Sequence, residues 1–156
     1  MAFGTSSKVF TAFLTDSFNS TASFNVDADT LKAAVFGNSG TPDHTVASAN
    51  TAYNAGQWTT GNEASNGGWS AGGLALASVT SSFSSSTYTL DAADKANGSA
   101  ATISDTRGCL VYNDTLTTPV ADQGISYHSF GGQQTVTAGT LTIVWNASGI
   151  ITVVVQ

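Results

Sequence analysis

From Leu74 to Val155 the apolar residues fall in short runs broken by Gly, Ser, Asn and Asp, and no run is long enough for a helix. Strands are therefore predicted over 74–80, 87–90, 101–104, 108–113, 125–130 and 134–138. The serine-rich stretch 81–86, with Phe83 inside it, is read as a connection between strands. Residues 140–145, the turn Asn146-Ala147-Ser148-Gly149 and residues 150–155 make the strongest hairpin signal in the chain. The last of these strands carries Ile150, Ile151, Val153, Val154 and Val155 on both faces. A solvated edge of that kind invites aggregation, so the strand is expected to be central or covered by another subunit.

Helices are expected only in the N-terminal third. Val9, Phe10, Phe13, Leu14 and Phe18 repeat with the spacing of one helical face over 8–18. A first strand is predicted over 30–36, ending at Gly37. Thr41-Pro42-Asp43 offers a cap followed by a proline at the first helical position, and Val46, Ala49 and Tyr53 share a face, so a second helix is expected to run to Gly56. The segment 57–73, rich in Gly, Asn and Ser and carrying Trp58 and Trp69, reads as a long exposed loop suited to reaching a partner. No repeat recurs and no composition break divides the chain. The fold class expected is mainly β: a single domain over 1–156, an antiparallel β-sandwich or jelly-roll-like barrel with one or two short helices.

Charge is scarce. Ten carboxylates stand against Lys8, Lys32, Lys95 and Arg107, giving a net charge of −6 and a charged fraction of 9%, where soluble domains average about 25%. The polar surface must come from hydroxyls and amides, supplied by 20 Ser, 23 Thr and ten Asn. Neutral hydroxyls cost less to desolvate than ions, which favours broad contact with neighbouring subunits. Four cations cannot neutralise a series of phosphates, so nucleic acid is excluded as a partner. No stretch approaches the ~20 apolar residues of a membrane-spanning helix, and Met1 to Lys8 lack the apolar core of a signal peptide, so a soluble protein without membrane partners is expected. Cys109, the single cysteine, sits among Leu110, Val111 and Tyr112 and is expected to be a buried thiol.

Chemical motifs are few. Gly68-Trp69-Ser70-Ala71-Gly72 matches the nucleophile elbow of hydrolases, and Asp105, Asp114 or Asp122 with His128 would complete the chain order. The elbow needs a strand before the serine and a helix after it, whereas here a Gly/Asn loop precedes and strand-like Leu74 to Ala77 follows. No catalytic residue is therefore assigned. His44 and His128 are far apart, one cysteine cannot build a zinc site, and Asp27 with Asp29 or Asp91 with Asp94 lacks the spacing of a calcium loop. These carboxylates are read as turn caps, and neither metal nor cofactor is expected. The four Asn-x-Ser/Thr sequons, at Asn19, Asn97, Asn113 and Asn146, are what so hydroxylated a chain produces by chance. Tyr53, Trp58 and Trp69 are the aromatic residues that a carbohydrate-binding module would need, since ring faces stack on sugars; core or interface packing is the competing role.

Arg107-Gly108-Cys109-Leu110-Val111-Tyr112-Asn113-Asp114, then Phe130-Gly131-Gly132 with Gln134, Val136 and Ala138-Gly139-Thr140, then Trp145-Asn146 and Gly149-Ile150, resembles small virion structural proteins of tailed bacteriophages. The strand from Leu31 to Val35, the Asn62-Glu63 loop and Gly72-Gly73 fit the same layout, so the resemblance spans most of the chain. It implies a non-enzymatic part of the particle: a minor capsid or decoration protein on the head exterior, assembled in the host cytoplasm and bound to the major capsid protein. Self-association, as a homotrimer, is expected with it. The alternatives are a tail-tube, tail-tip or connector component, whose acidic lumen would not hold passing DNA, and the carbohydrate-binding module. Trp58, Trp69 and Arg107 are the expected subunit or capsid contacts. For Arg107 a salt bridge within the domain is the competing expectation.

Overall fold

A computed structural model describes residues 3–156. It contains ten strands, β1 Lys8–Val9, β2 Leu31–Phe36, β3 Leu74–Ala75, β4 Thr80–Ser84, β5 Thr87–Asp91, β6 Lys95–Ala96, β7 Ala101–Asn113, β8 Gly124–Gly139, β9 Thr142–Ile143 and β10 Ile151–Val154. Two short helices, α1 Thr11–Phe18 and α2 Ser48–Thr51, precede β3. The fold is mainly β and antiparallel throughout, with a five-stranded sheet in the order β1-β8-β7-β2-β3, a three-stranded sheet β10-β5-β4 and the pair β6-β9. It is sandwich-like, as the short alternating runs of the sequence predict.

The centre is the β2–β7 ladder. Six consecutive pairs run from Leu31↔Asn113 to Phe36↔Gly108, and β8 joins the other side of β7 through Leu110↔Tyr127 and Cys109↔His128. Side chains that face each other across these pairs share one side of the sheet. Ala34, Phe36, Leu110 and Tyr127 therefore form one face, and Leu31, Val35, Cys109, Val111 and His128 the other. Both faces are covered, which is why β2 reads Leu-Lys-Ala-Ala-Val-Phe without clean alternation.

The first face is closed by an aromatic cluster with Trp58 at its hub. Phe36 lies 5.0 Å from it in an edge contact, Phe3 and Phe10 each 6.1 Å away, and Tyr127 5.9 Å. Edge contacts of this kind add to the area each ring buries. Gly108 marks how close the cover sits, since a β-carbon there would overlap the Phe3 ring and the His128 carbonyl. The second face meets the smaller sheet, where Leu90 and Ile151 are paired across β5 and β10 and are 1% and 4% exposed. One cluster of buried apolar residues links both faces.

Several elements differ from the sequence reading. Residues 101–104 and 108–113 belong to a single strand, as do 125–130 and 134–138. Register shifts between Ile103 and Gly108, with Asp105 at φ 60°, break the alternation that would have revealed this. The expected second helix shrinks to the one turn of α2, because the Asp43 carboxylate accepts from both the amide and the hydroxyl of Thr45 and holds a local turn instead. The expected first helix starts later, at Thr11, and Lys8–Val9 pairs with β8.

The serine-rich connection is half strand: β4 runs to Ser84, and Ser85 and Ser86 make a tight two-residue turn at φ 49° and 63°. Positive φ at both positions matches the twist of the flanking strands. The expected C-terminal hairpin does not form. Its turn is present, closed by Gly149 N–H donating to the Asn146 carbonyl at 2.7 Å, but β9 pairs with β6 and β10 with β5. The turn is a corner between sheets. Trp58→Ala should cost about 4 kcal/mol in chemical denaturation, because it empties the hub of the first face. Phe83→Ala, at a side chain 65% exposed, should change stability by less than about 0.5 kcal/mol.

Candidate functional site

Trp58 and Trp69 are not contact residues. They are 3% and 0% exposed, so neither indole reaches a partner or forms a sugar platform. The segment 57–73 is a loop in path, but it is bonded inward. Ala64 N–H donates to the Val35 carbonyl, Asn66 and Trp69 exchange backbone bonds, and an isolated bridge joins Phe36 to Glu63. Glu63, the only glutamate, is the organiser: its carboxylate accepts from Tyr53 Oη at 2.8 Å and from Gly72 N–H at 3.0 Å, and Tyr112 Oη donates to the Gly72 carbonyl at 2.7 Å. Burial raises the Glu63 carboxyl above its ordinary range, against the lowering effect of these donors. Tyr53 stacks on Tyr112 at 5.1 Å, so the third aromatic of the sugar reading is also held against the body.

Arg107 is engaged inside the domain. Its Nε donates to Asp105 at 2.8 Å on the same strand, and its Nη2 reaches Gln133 at 3.3 Å on β8. The guanidinium thus fastens the irregular part of the β7–β8 hairpin, in a half-exposed pair of modest energy.

The hydrolase constellation is not assembled. Ser70 is exposed at a turn, where its carbonyl accepts from Gly73, and the His128 Nε2 bonds to Ser126 at 2.9 Å instead. Ser126 is fully buried, so its hydroxyl is closed to a substrate. Cys109, opposite His128, is buried as expected, and burial pushes its thiol far above the usual range. The aspartates act on backbone and amides: Asp27 accepts from Ser81, Asp29 from Asn25 and Asn113, Asp94 from Trp145. Among the described residues no three metal-ligating side chains converge.

What the structure exposes lies around β10. The face of the smaller sheet that is buried at Leu90 and Ile151 opens progressively: Val153 is 38% exposed and Val155 59%. There it forms, together with Tyr88, one wall of a groove of about 540 Å³, with Phe18 and Phe24 on the other side. Among the described residues no charged side chain lines it. Phe18, expected on the buried face of its helix, stands 82% exposed at the groove's rim. On the other side of β10 lies a more polar cleft of about 360 Å³, lined by Lys8, His128, Trp145, Asn146 and Thr152 among others. The apolar composition of residues 150–155 pointed to β10. The groove itself had no local signal, because its walls come from α1 and from β5 and β10, far apart in the chain.

Within that polar cleft the His128 ring meets Trp145 edge-on at 5.3 Å, and desolvation lowers its pKa from 6.5 to about 4. Between those values the unfolded chain binds a proton that the folded chain refuses. The stability that His128 contributes is thus complete above pH 6.5, falls with pH and is lost below about 4. Denaturation at stepped pH should show His128→Gln with a flatter acid limb than the wild type. Equal slopes would mean that the imidazole is hydrated in the folded chain.

Compared with family models, curated proteins and solved structures, the chain matches none, so its own surface carries the functional reading.

Proposed function

We propose that this chain is a non-enzymatic structural protein of a tailed-bacteriophage virion, a decoration or minor capsid protein that binds the outer head shell through the major capsid protein. The observation that carries the reading is the uncharged groove beside the open edge strand β10, on a protein whose remaining surface is mostly hydroxyl and amide. A contiguous apolar surface of this kind marks a protein contact. The residues that resemble virion proteins, Arg107 to Asp114 and Phe130 to Gly132, lie in the central β7–β8 hairpin and so belong to the framework that presents this surface. Symmetric self-association then supports shell binding: each neutral contact is weak, and copies linked to one another gain avidity on a lattice of identical sites. The resemblance implies a trimer for this role. The carbohydrate-binding alternative loses its platform with the burial of Trp58 and Trp69. The tail-tube alternative keeps its argument from the net charge of −6.

Purified protein added to shells stripped of accessory proteins should bind saturably. Because only 9% of the chain is charged, binding should weaken less than about threefold between 0.1 and 1 M salt. Absence of saturable binding overturns the decoration reading, and spontaneous formation of rings or tubes by the isolated protein favours the tail.

A further inference from the structure

The two edges of the smaller sheet are treated differently. In an antiparallel pair, residues alternate between exchanging backbone bonds with the partner and turning those groups outward. The two-residue turn at Ser85-Ser86 makes Ser84↔Thr87 a bonded pair, so on β4 the amides of Ser81 and Phe83 point outward. Asp27 sits on that edge, its carboxylate taking the Ser81 amide at 2.6 Å and the Ser81 hydroxyl at 2.8 Å. A charged side chain there blocks a further strand. On β10, Val155 N–H donates to the Ser86 carbonyl, which makes Val153↔Tyr88 a bonded pair and leaves the amides and carbonyls of Thr152 and Val154 pointing outward. Within the strand itself, residues 151–154, there is no lysine, no proline, no bulge and no carboxylate on the amides, and the nearest cation, Lys8, stands across the polar cleft beside Thr152.

We propose that a second copy of this chain covers this edge, β10 pairing antiparallel with its own counterpart across a two-fold axis at Val153. The register is self-complementary. With Val153 opposite Val153 of the other copy, Thr152 falls opposite Val154 and Val154 opposite Thr152, and each of these pairs exchanges both bonds, using the groups that are free. The two three-stranded sheets become one sheet of six. The cross-strand row Phe83, Tyr88, Val153 continues into Val153, Tyr88, Phe83 of the second copy on the groove side.

Area and charge fit this occupant. Phe18, Val153, Val154 and Val155 are 82%, 38%, 61% and 59% exposed, so the apolar surface open for burial is at most roughly 450 Å² per copy, against the ~800 Å² per partner of a stable interface. The hydroxyl rim at Ser17, Ser20 and Ser23 supplies further contact on the groove side and Thr152 on the other. Two copies of a chain carrying −6 can meet here because no carboxylate lines the groove. The inference rests on the reading of this chain as an assembly protein: it gives the β10 edge and its groove to self-association, leaves shell binding to the rest of the neutral surface, and sets a two-fold contact in place of the expected three-fold one.

Sedimentation of the wild type at about 100 µM should show a dimer, and Val153→Lys, which sets two ammonium groups against each other on the axis, should weaken it at least about tenfold. Val154→Pro removes only an outward amide and should also give a folded monomer, with circular dichroism checking the fold of both variants. Val153→Cys should form a disulfide-linked dimer in oxidised glutathione, because residues opposite each other at a non-bonded position lie within disulfide reach, while Cys109 is buried. Val154→Cys should not, its counterpart being two residues out of register. A monomeric wild type, a trimer unaffected by Val153→Lys, or cross-linking through Val154→Cys and not Val153→Cys overturns the proposal. Shell binding separates the two readings: a monomeric wild type that binds shells saturably removes the dimer alone, and a dimer that binds no shell removes the decoration function alone.

Discussion

Every other element depends on the unbroken pairing of β2 with β7. Both faces of this ladder are covered, one by the rings around Trp58 and the other by the smaller sheet. Little of its backbone is left to water, and its amides and carbonyls find partners in the adjoining strands and, at Leu31 and Val35, in Leu76 and Ala64. Once Leu31↔Asn113 to Phe36↔Gly108 are in register, the alternation of side chains decides what lies above and below. A slip by one residue would send Phe36 and Ala34 to the face of Leu31 and Val35, and would bring Lys32 into the second face. Asn113 closes the ladder at one end: its amide donates to Asp29, and its carbonyl oxygen accepts from Thr115 and Leu116, so the loop leaving β7 starts from a fixed point.

In a chain this poor in charge, buried polarity is handled mostly by neutral groups. Asn97 ties three backbone positions, bonding the carbonyls of Ser99 and Gly139 and accepting from Leu141 N–H. Asp16, buried on α1, accepts from Ser48 at 2.6 Å and Gln123 at 2.7 Å, joining both helices to the residue that leads into β8. Of the four cations, Lys32 pairs with Asp114 and Arg107 with Asp105. The remaining carboxylates mostly receive backbone or hydroxyl donors. Such bonds are short and directional, and they secure turns where a longer-range field would add little.

The parts legible in the sequence are those decided by neighbours in the chain. β2 and the later strands follow from short apolar runs, and the corner at Asn146 to Gly149 from its turn residues. The parts that were not legible are decided at a distance. Whether residues 150–155 fold back on 140–145 or pair with β5 depends on Leu90 and Tyr88, about 60 positions earlier in the chain. Trp58 and Trp69 lie among Gly, Asn and Ser, a composition that reads as exposed, and only the carboxylate of Glu63 and the bridge to Phe36 draw that loop inward. Ser85 and Ser86 occupy a turn that usually announces itself with Asn or Gly, so the β4–β5 hairpin had no visible signal. At the candidate site the same division holds: the apolar strand was visible, and the groove made by its meeting with α1 was not.

The unequal edges of the smaller sheet follow from this scarcity. A β-sheet has two edges, and a chain with abundant lysine can protect both by placing charge along them. Here most of the ions are placed elsewhere: Asp29, Asp43, Glu63 and Asp94 on turns and loops, Lys32 and Arg107 in pairs within the domain, and Lys8 and Lys95 on β1 and β6. Asp27 is spent on β4. β10 is left with valines on both faces and outward backbone groups that water alone satisfies. Removing those valines from water favours any partner that can also satisfy the backbone groups, and an identical strand running antiparallel does so without a single new side-chain requirement.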